Sequence, residues 1–191
     1  MKTEKALLIV FIISLIFKLM HWPGGGPLMV LSLTFLAFCY FPFGFYFFSD
    51  KTFKNQKIGV SILFGWLLSV AIIGIEFKLM FWPGSKVMLL VGCMSAAILL
   101  LAGFSLFKKS NEDLKNYYKN LLTRTVVIFV FATICLILPN SVLINHYYSN
   151  EPELRELYLK QQENPEDENI QMEIQAYKAK QYEQENGRQR K

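Results

Sequence analysis

Phe17-Lys18-Leu19-Met20-His21-Trp22-Pro23-Gly24 returns 60 positions later as Phe77-Lys78-Leu79-Met80-Phe81-Trp82-Pro83-Gly84, with seven of the eight residues identical. Each copy ends a run of Leu, Ile, Val and Phe too long and too apolar for a soluble helix, and another such run follows at once. Proline cannot continue a helix and glycine lets the chain reverse, so each copy reads as the corner of a membrane-embedded helical hairpin. The likeness reaches upstream, where Ile12-Ile13 recurs as Ile72-Ile73 and Ser14 is replaced by Gly74.

Outward from the corners, the apolar runs predict five transmembrane spans, at about residues 6–22, 27–48, 58–82, 87–107 and 125–147. The first run begins like a secretory signal, but the bulky Lys18–Trp22 segment stands where cleavage needs small residues, so the span is retained. Pro27 suits the first turn of the second span. Its far end, Cys39 to Phe48, is rich in aromatics and holds Pro42 and Gly44, as expected at the headgroup layer. Residues 49–57 and 108–123 read as polar loops, and Pro139 is expected to kink the fifth span.

After Tyr147 the composition changes: residues 148–191 hold few large apolar side chains. Two helix starts stand there, Asn150-Glu151-Pro152-Glu153 and Asn164-Pro165-Glu166-Asp167, each with an early proline and an acidic first turn. The apolar stripes that follow, Leu154, Leu157 and Tyr158, then Ile170, Ile174 and Tyr177, are thin. The expected fold class is all-α: a polytopic integral membrane protein with a transmembrane domain over 1–147 and a polar helical tail over 148–191. Its body is two tandem helical hairpins packed as a four-helix bundle, joined by a fifth transmembrane helix. Two spans per unit put any internal symmetry axis along the membrane normal.

The net charge of +5 divides unevenly. Residues 1–147 carry 13 Lys/Arg against 5 Asp/Glu, or +8, and residues 148–191 carry 7 against 10, or −3. The basic residues sit in short segments between apolar runs, the pattern that orients a membrane protein, and this argues against a nucleic-acid partner. Ten of them lie in the head, in 50–57 and in 108–124, which places the N-terminus in the cytoplasm, the corners outside it and, with five spans, the tail in the periplasm. A re-entrant fifth span would return the tail inside. Cys39, Cys93 and Cys135 each lie within an apolar run without paired spacing, so they read as buried free thiols, with no metal site and no cofactor.

Lys18 and Lys78 occupy the same depth in both copies. They read either as snorkelling side chains or as caps on the carbonyls of their own helix ends. Glu76 is the only acid within a predicted span, two residues before Lys78 and so on another face; Lys18 or His21 of the first span is its expected partner, in an intramembrane ion pair or a relay. His21 faces the same way as Lys18, but its counterpart is Phe81. Trp22 and Trp82 read as interfacial anchors.

The octapeptide between two apolar spans resembles the N-terminal membrane hairpin of GldL, an inner-membrane protein of bacterial gliding motility and type IX secretion. The resemblance rests on Lys18, His21, Trp22, Pro23 and Gly24 and, in the second copy, on Lys78, Trp82, Pro83 and Gly84; it covers residues 12–24 and 72–84. It implies the hairpin fold and a bacterial inner-membrane location. Motors of that kind need a carboxylate in the second helix, and neither 27–48 nor 87–107 has one, so motor function does not carry over. No nucleophile, phosphate loop or metal motif marks an enzyme. The expected function is a non-catalytic scaffold or accessory subunit of an envelope complex, with the lipid bilayer, other envelope proteins or further copies of itself as partners. Two alternatives stay open: an ion- or proton-coupled subunit using Lys18, His21 and Glu76, and a signalling protein with an extracytoplasmic tail.

Overall fold

The computed structural model describes residues 2–41 and 57–189, and every regular element among them is helical. In chain order these are α1 (Lys2–Leu19), α2 (Gly25–Tyr40), α3 (Ile58–Leu79), α4 (Ser85–Lys109), α5 (Glu112–Ile137), α6 (Asn140–Tyr147), α7 (Pro152–Glu163) and α8 (Glu168–Gln189). The expected end of the second span beyond Phe41, with Pro42 and Gly44, and the loop lysines Lys51 and Lys54 lie outside the described residues.

Three helices, α3, α4 and α5, are long and apolar enough to cross a membrane. The chain thus has membrane-spanning helices, and a lipid bilayer as their surroundings. α1 is 18 residues long but carries Lys2, Glu4, Lys5 and Lys18, and α2 is apolar over 16 residues.

The stretch 108–123, expected as a loop, is mostly helix: only Ser110 and Asn111 separate α4 from α5. Asn111 takes the N-cap position, Glu112 and Asp113 suit the helix N-terminus, and Tyr117, Tyr118 and Leu121 make a buried stripe. α5 then stops at Ile137, ten residues before the expected end of the fifth span at Tyr147, because Leu138 turns to extended backbone ahead of Pro139. The chain divides there into two compact units, Met1–Leu138 and Pro139–Lys191.

In the first unit α3 is central, packed against α2, α4 and α5, while α1 packs on α2. The core runs through Met29 and Leu33 of α2, Phe64, Leu68 and Ile72 of α3, Leu89, Ala96 and Leu99 of α4, and Tyr118 and Leu121 of α5. Large apolar residues such as Val87, Leu101 and Ile137 point outward, as lipid-facing positions do. The α3–α4 crossing is tight: a Cβ added to Gly92 would lie 2.6 Å from the Ala71 Cα. At the corresponding places of the α1–α2 hairpin stand the larger Ser32 and Phe11.

The second unit has its own small core. Leu154 and Tyr158 of α7 and Ile174 of α8 are buried, Tyr148 stacks on Tyr158 with centroids 4.7 Å apart, and Lys178 Nζ donates to the Tyr158 hydroxyl at 2.6 Å. Burial, reinforced by the neighbouring Tyr158, pushes the Tyr148 phenol above its ordinary value. α7 starts at Pro152 as expected, but α8 starts at Glu168, where the Asp167 carboxylate accepts from the Asn169 amide at 2.9 Å.

Candidate functional site at the two corners

The two copies of the octapeptide fold alike, and the backbone explains how. Met20 and Met80 cap their helices, and the next residues, His21 and Phe81, take left-handed φ values of 59° and 58°. The Trp22 amide donates to the Phe17 carbonyl at 2.8 Å and the His21 amide to the Lys18 carbonyl at 3.3 Å; Trp82 and Phe81 make the same bonds to Phe77 and Lys78 at 2.9 and 3.3 Å. This paired pattern is the Schellman motif, here with a histidine and a phenylalanine where glycine is usual. Its accompanying apolar contact is present too, with Trp22 edge-on to Phe17 at 5.1 Å and Trp82 edge-on to Phe77 at 5.0 Å. Pro23 and Pro83 stop the helix from resuming, and Gly24 and Gly84, at φ 86° and 79°, turn the chain into the next helix. The indoles therefore staple their corners as well as being partly exposed.

Those amides serve the Phe17 and Lys18 carbonyls, and the Lys18 side chain reaches beyond its own hairpin. Its ammonium donates to the Leu79 carbonyl at the end of α3, lies 3.6 Å from Met80 Sδ, and sits 5.4 Å from the centre of the Phe81 ring. The first corner's lysine thus caps the second corner's helix, a partner beyond the two readings, snorkelling or own-helix capping, that the sequence offers. Lys78 does not repeat the arrangement. It is buried, at 7 % exposure, on the side of α3 that faces Cys135 of α5.

Glu76 does not meet Lys18 or His21 in an ion pair. It is buried at 4 % exposure, and its two carboxylate oxygens accept from Thr34 Oγ1 of α2 at 3.0 and 3.2 Å. His21 is exposed at the corner. The three groups expected together are therefore divided: Lys18 forms an interhelical cap, Glu76 pairs with Thr34, and His21 stays exposed at the corner.

Sequence reasoning missed a second polar cluster, at the opposite end of the bundle. Glu4 of α1 pairs with Arg124 of α5 at 2.9 Å and also accepts from the Tyr40 hydroxyl of α2. All three are largely buried, so the cluster ties three helices together. Nearby, the Ser61 and Tyr117 hydroxyls lie 2.6 Å apart, and Tyr117 donates to the Lys57 carbonyl at 3.2 Å. The available signal was an acid in an otherwise basic head facing an arginine at the start of an apolar run. The three cysteines are free and buried.

Apolar helices long enough to span a bilayer, reversed at a stapled corner, define the class: a helical-hairpin membrane protein. Within that class the sequence is similar to the GldL N-terminal domain family, whose profile matches residues 63–124. The match begins inside α3, takes in the second corner and α4, and ends at Arg124 in α5; the first corner lies outside it. No curated protein and no solved structure matches the chain.

Proposed function

We propose that the chain is a non-catalytic inner-membrane scaffold or accessory subunit of a bacterial envelope complex, of the gliding-motility and type IX secretion kind. In this reading two tandem GldL-like hairpins and a fifth span over the apolar part of α5 make the membrane body, and the second unit is the contact surface. The observation that carries it is the bond from Lys18 to Leu79, which fastens one hairpin to the other at their corners. The matched corner geometry supports a duplication, and the family similarity over 63–124 supports the kind of complex.

The experiment is co-purification in mild detergent from the native host. Lys18→Ala and Lys78→Ala are expected to lower abundance and to release the partners that the unaltered protein retains. The burial of Glu76 beside Thr34 favours a second reading, an ion- or proton-coupled subunit in which Glu76 is the titrating group. Normal abundance and partners in a Glu76→Gln strain that has lost the phenotype of the intact gene would establish that reading instead.

The proposed orientation puts both corners outside the cytoplasm. Ser85 is buried but its neighbour Lys86 is exposed, so Lys86→Cys is the informative label. An impermeant maleimide is expected to modify it in intact spheroplasts; modification only after lysis would reverse the orientation.

A further inference from the structure

Between α2 and α3 runs a groove of about 320 Å³. Its corner-side end holds the carboxylate of Glu76 and the Thr34 hydroxyl, and its walls are Ala37, Phe38, Ile73 and Phe77. The far end is lined by Phe41 and by Ser69, whose hydroxyl is already committed to the Trp66 carbonyl. Because α2 and α3 run antiparallel, Thr34 and Glu76 lie at one level and Phe41 and Ser69 at another, about 10 Å deeper at 1.5 Å per residue. Polarity therefore falls along α3 from Glu76 toward the middle of that helix, and along α2 from Thr34 toward its end at Tyr40. Glu76 stands three residues before the end of α3, about one turn beneath the corner.

We propose that this groove holds one acyl chain of a phospholipid from the corner-side leaflet, with the lipid's primary ammonium headgroup on the Glu76 carboxylate. Three observations converge on that occupant. The carboxylate meets a hydroxyl and no cation among the described residues, and an ammonium supplies the counter-charge that a buried acid lacks. Each carboxylate oxygen has lone pairs left after the Thr34 bond, and an ammonium brings three donors. The apolar walls extend from the acid along α3 toward the middle of that helix, the direction in which an acyl chain extends from a headgroup near the corner. An anionic headgroup would meet the carboxylate with like charge, and a quaternary choline has no N–H to donate. The inference does not depend on the scaffold reading, since it concerns the isolated chain.

The test uses full-length protein purified in mild detergent and stripped of lipid. It is incubated with phosphatidylethanolamine, phosphatidylglycerol or phosphatidylcholine of identical acyl chains, and bound lipid per chain is read by native mass spectrometry. One phosphatidylethanolamine is expected to be retained, with the other two weaker by about tenfold or more, the worth of a hydrogen bond to a charged group. Glu76→Gln should reduce phosphatidylethanolamine to the level of the others, and Ala37→Leu, which fills the groove, should weaken all three. If Glu76→Gln does not fold, Thr34→Val and Ala37→Leu decide the matter by the same readout. Equal retention of the three lipids, or undiminished phosphatidylethanolamine in Glu76→Gln, would overturn the assignment. So would a co-purifying polypeptide that occupies the groove in place of lipid.

Discussion

Arg124→Leu is expected to lower the melting temperature of the full-length protein in detergent by on the order of 10 °C. The guanidinium is the ionic partner of Glu4, and the two side chains are only 12 % and 8 % exposed. Breaking a pair in so poorly solvated a place typically costs about 3–5 kcal/mol. The Tyr40 hydroxyl also bonds Glu4 but carries no charge. The cost falls on the acid that loses the guanidinium, so neutralising it should recover most of the loss. Glu4→Gln combined with Arg124→Leu is therefore expected to melt well above Arg124→Leu alone. A double variant no more stable than the single one would show that the cluster acts through packing, and the ionic account would be wrong.

The second large effect is expected at the α3–α4 crossing. Gly92→Ala places a methyl 2.6 Å from the Ala71 Cα, a backbone atom that can yield only if one helix moves. Overpacking of that kind costs about 1–3 kcal/mol, and Gly92→Leu should cost more. Gly103 provides the comparison, because a Cβ there meets the Leu122 Cδ2 at 2.9 Å, the far end of a side chain that can rotate away. Thermal melts should thus rank Gly92→Ala below Gly103→Ala. The reverse order would mean that the helices slide freely past one another at Ala71.

Much of the fold was legible because the apolar runs are long and the punctuation is strong. The corners follow from Pro23 and Pro83 with their glycines, and the start of α7 from Pro152 with its acidic first turn. The stretch 108–123 misled because its lysines suggested a loop, whereas the stripe of Tyr117, Tyr118 and Leu121 is half a helix pattern that only tertiary burial completes. The end of α5 misled for the opposite reason: a proline flanked by apolar residues reads equally well as a kink or a stop, and the residue before Pro139 took the extended option.

The site was less legible than the fold. Lys18, His21 and Glu76 share a level in the sequence, but the direction in which each side chain leaves its helix decides the partner. Glu76 points across to α2 and finds Thr34, a residue with no distinguishing context in its apolar run. Lys18 reads as a snorkelling side chain or as a cap on its own helix, and its bond to Leu79 needs the two corners side by side, which neither octapeptide announces. The amides of His21 and Trp22 hold the Lys18 and Phe17 carbonyls, and that depends on a left-handed residue which neither histidine nor phenylalanine advertises. The family profile fell on the second corner and not the first, although the two octapeptides differ at a single residue.

A reversal made from eight consecutive residues and their own amides asks nothing of whatever lies beside it. Such a segment can be spliced into a new chain, or set down again further along the old one, and still bend in the same way. What must be invented afresh is only the fastening between neighbours, and here a lysine at the end of one helix reaches across to supply it.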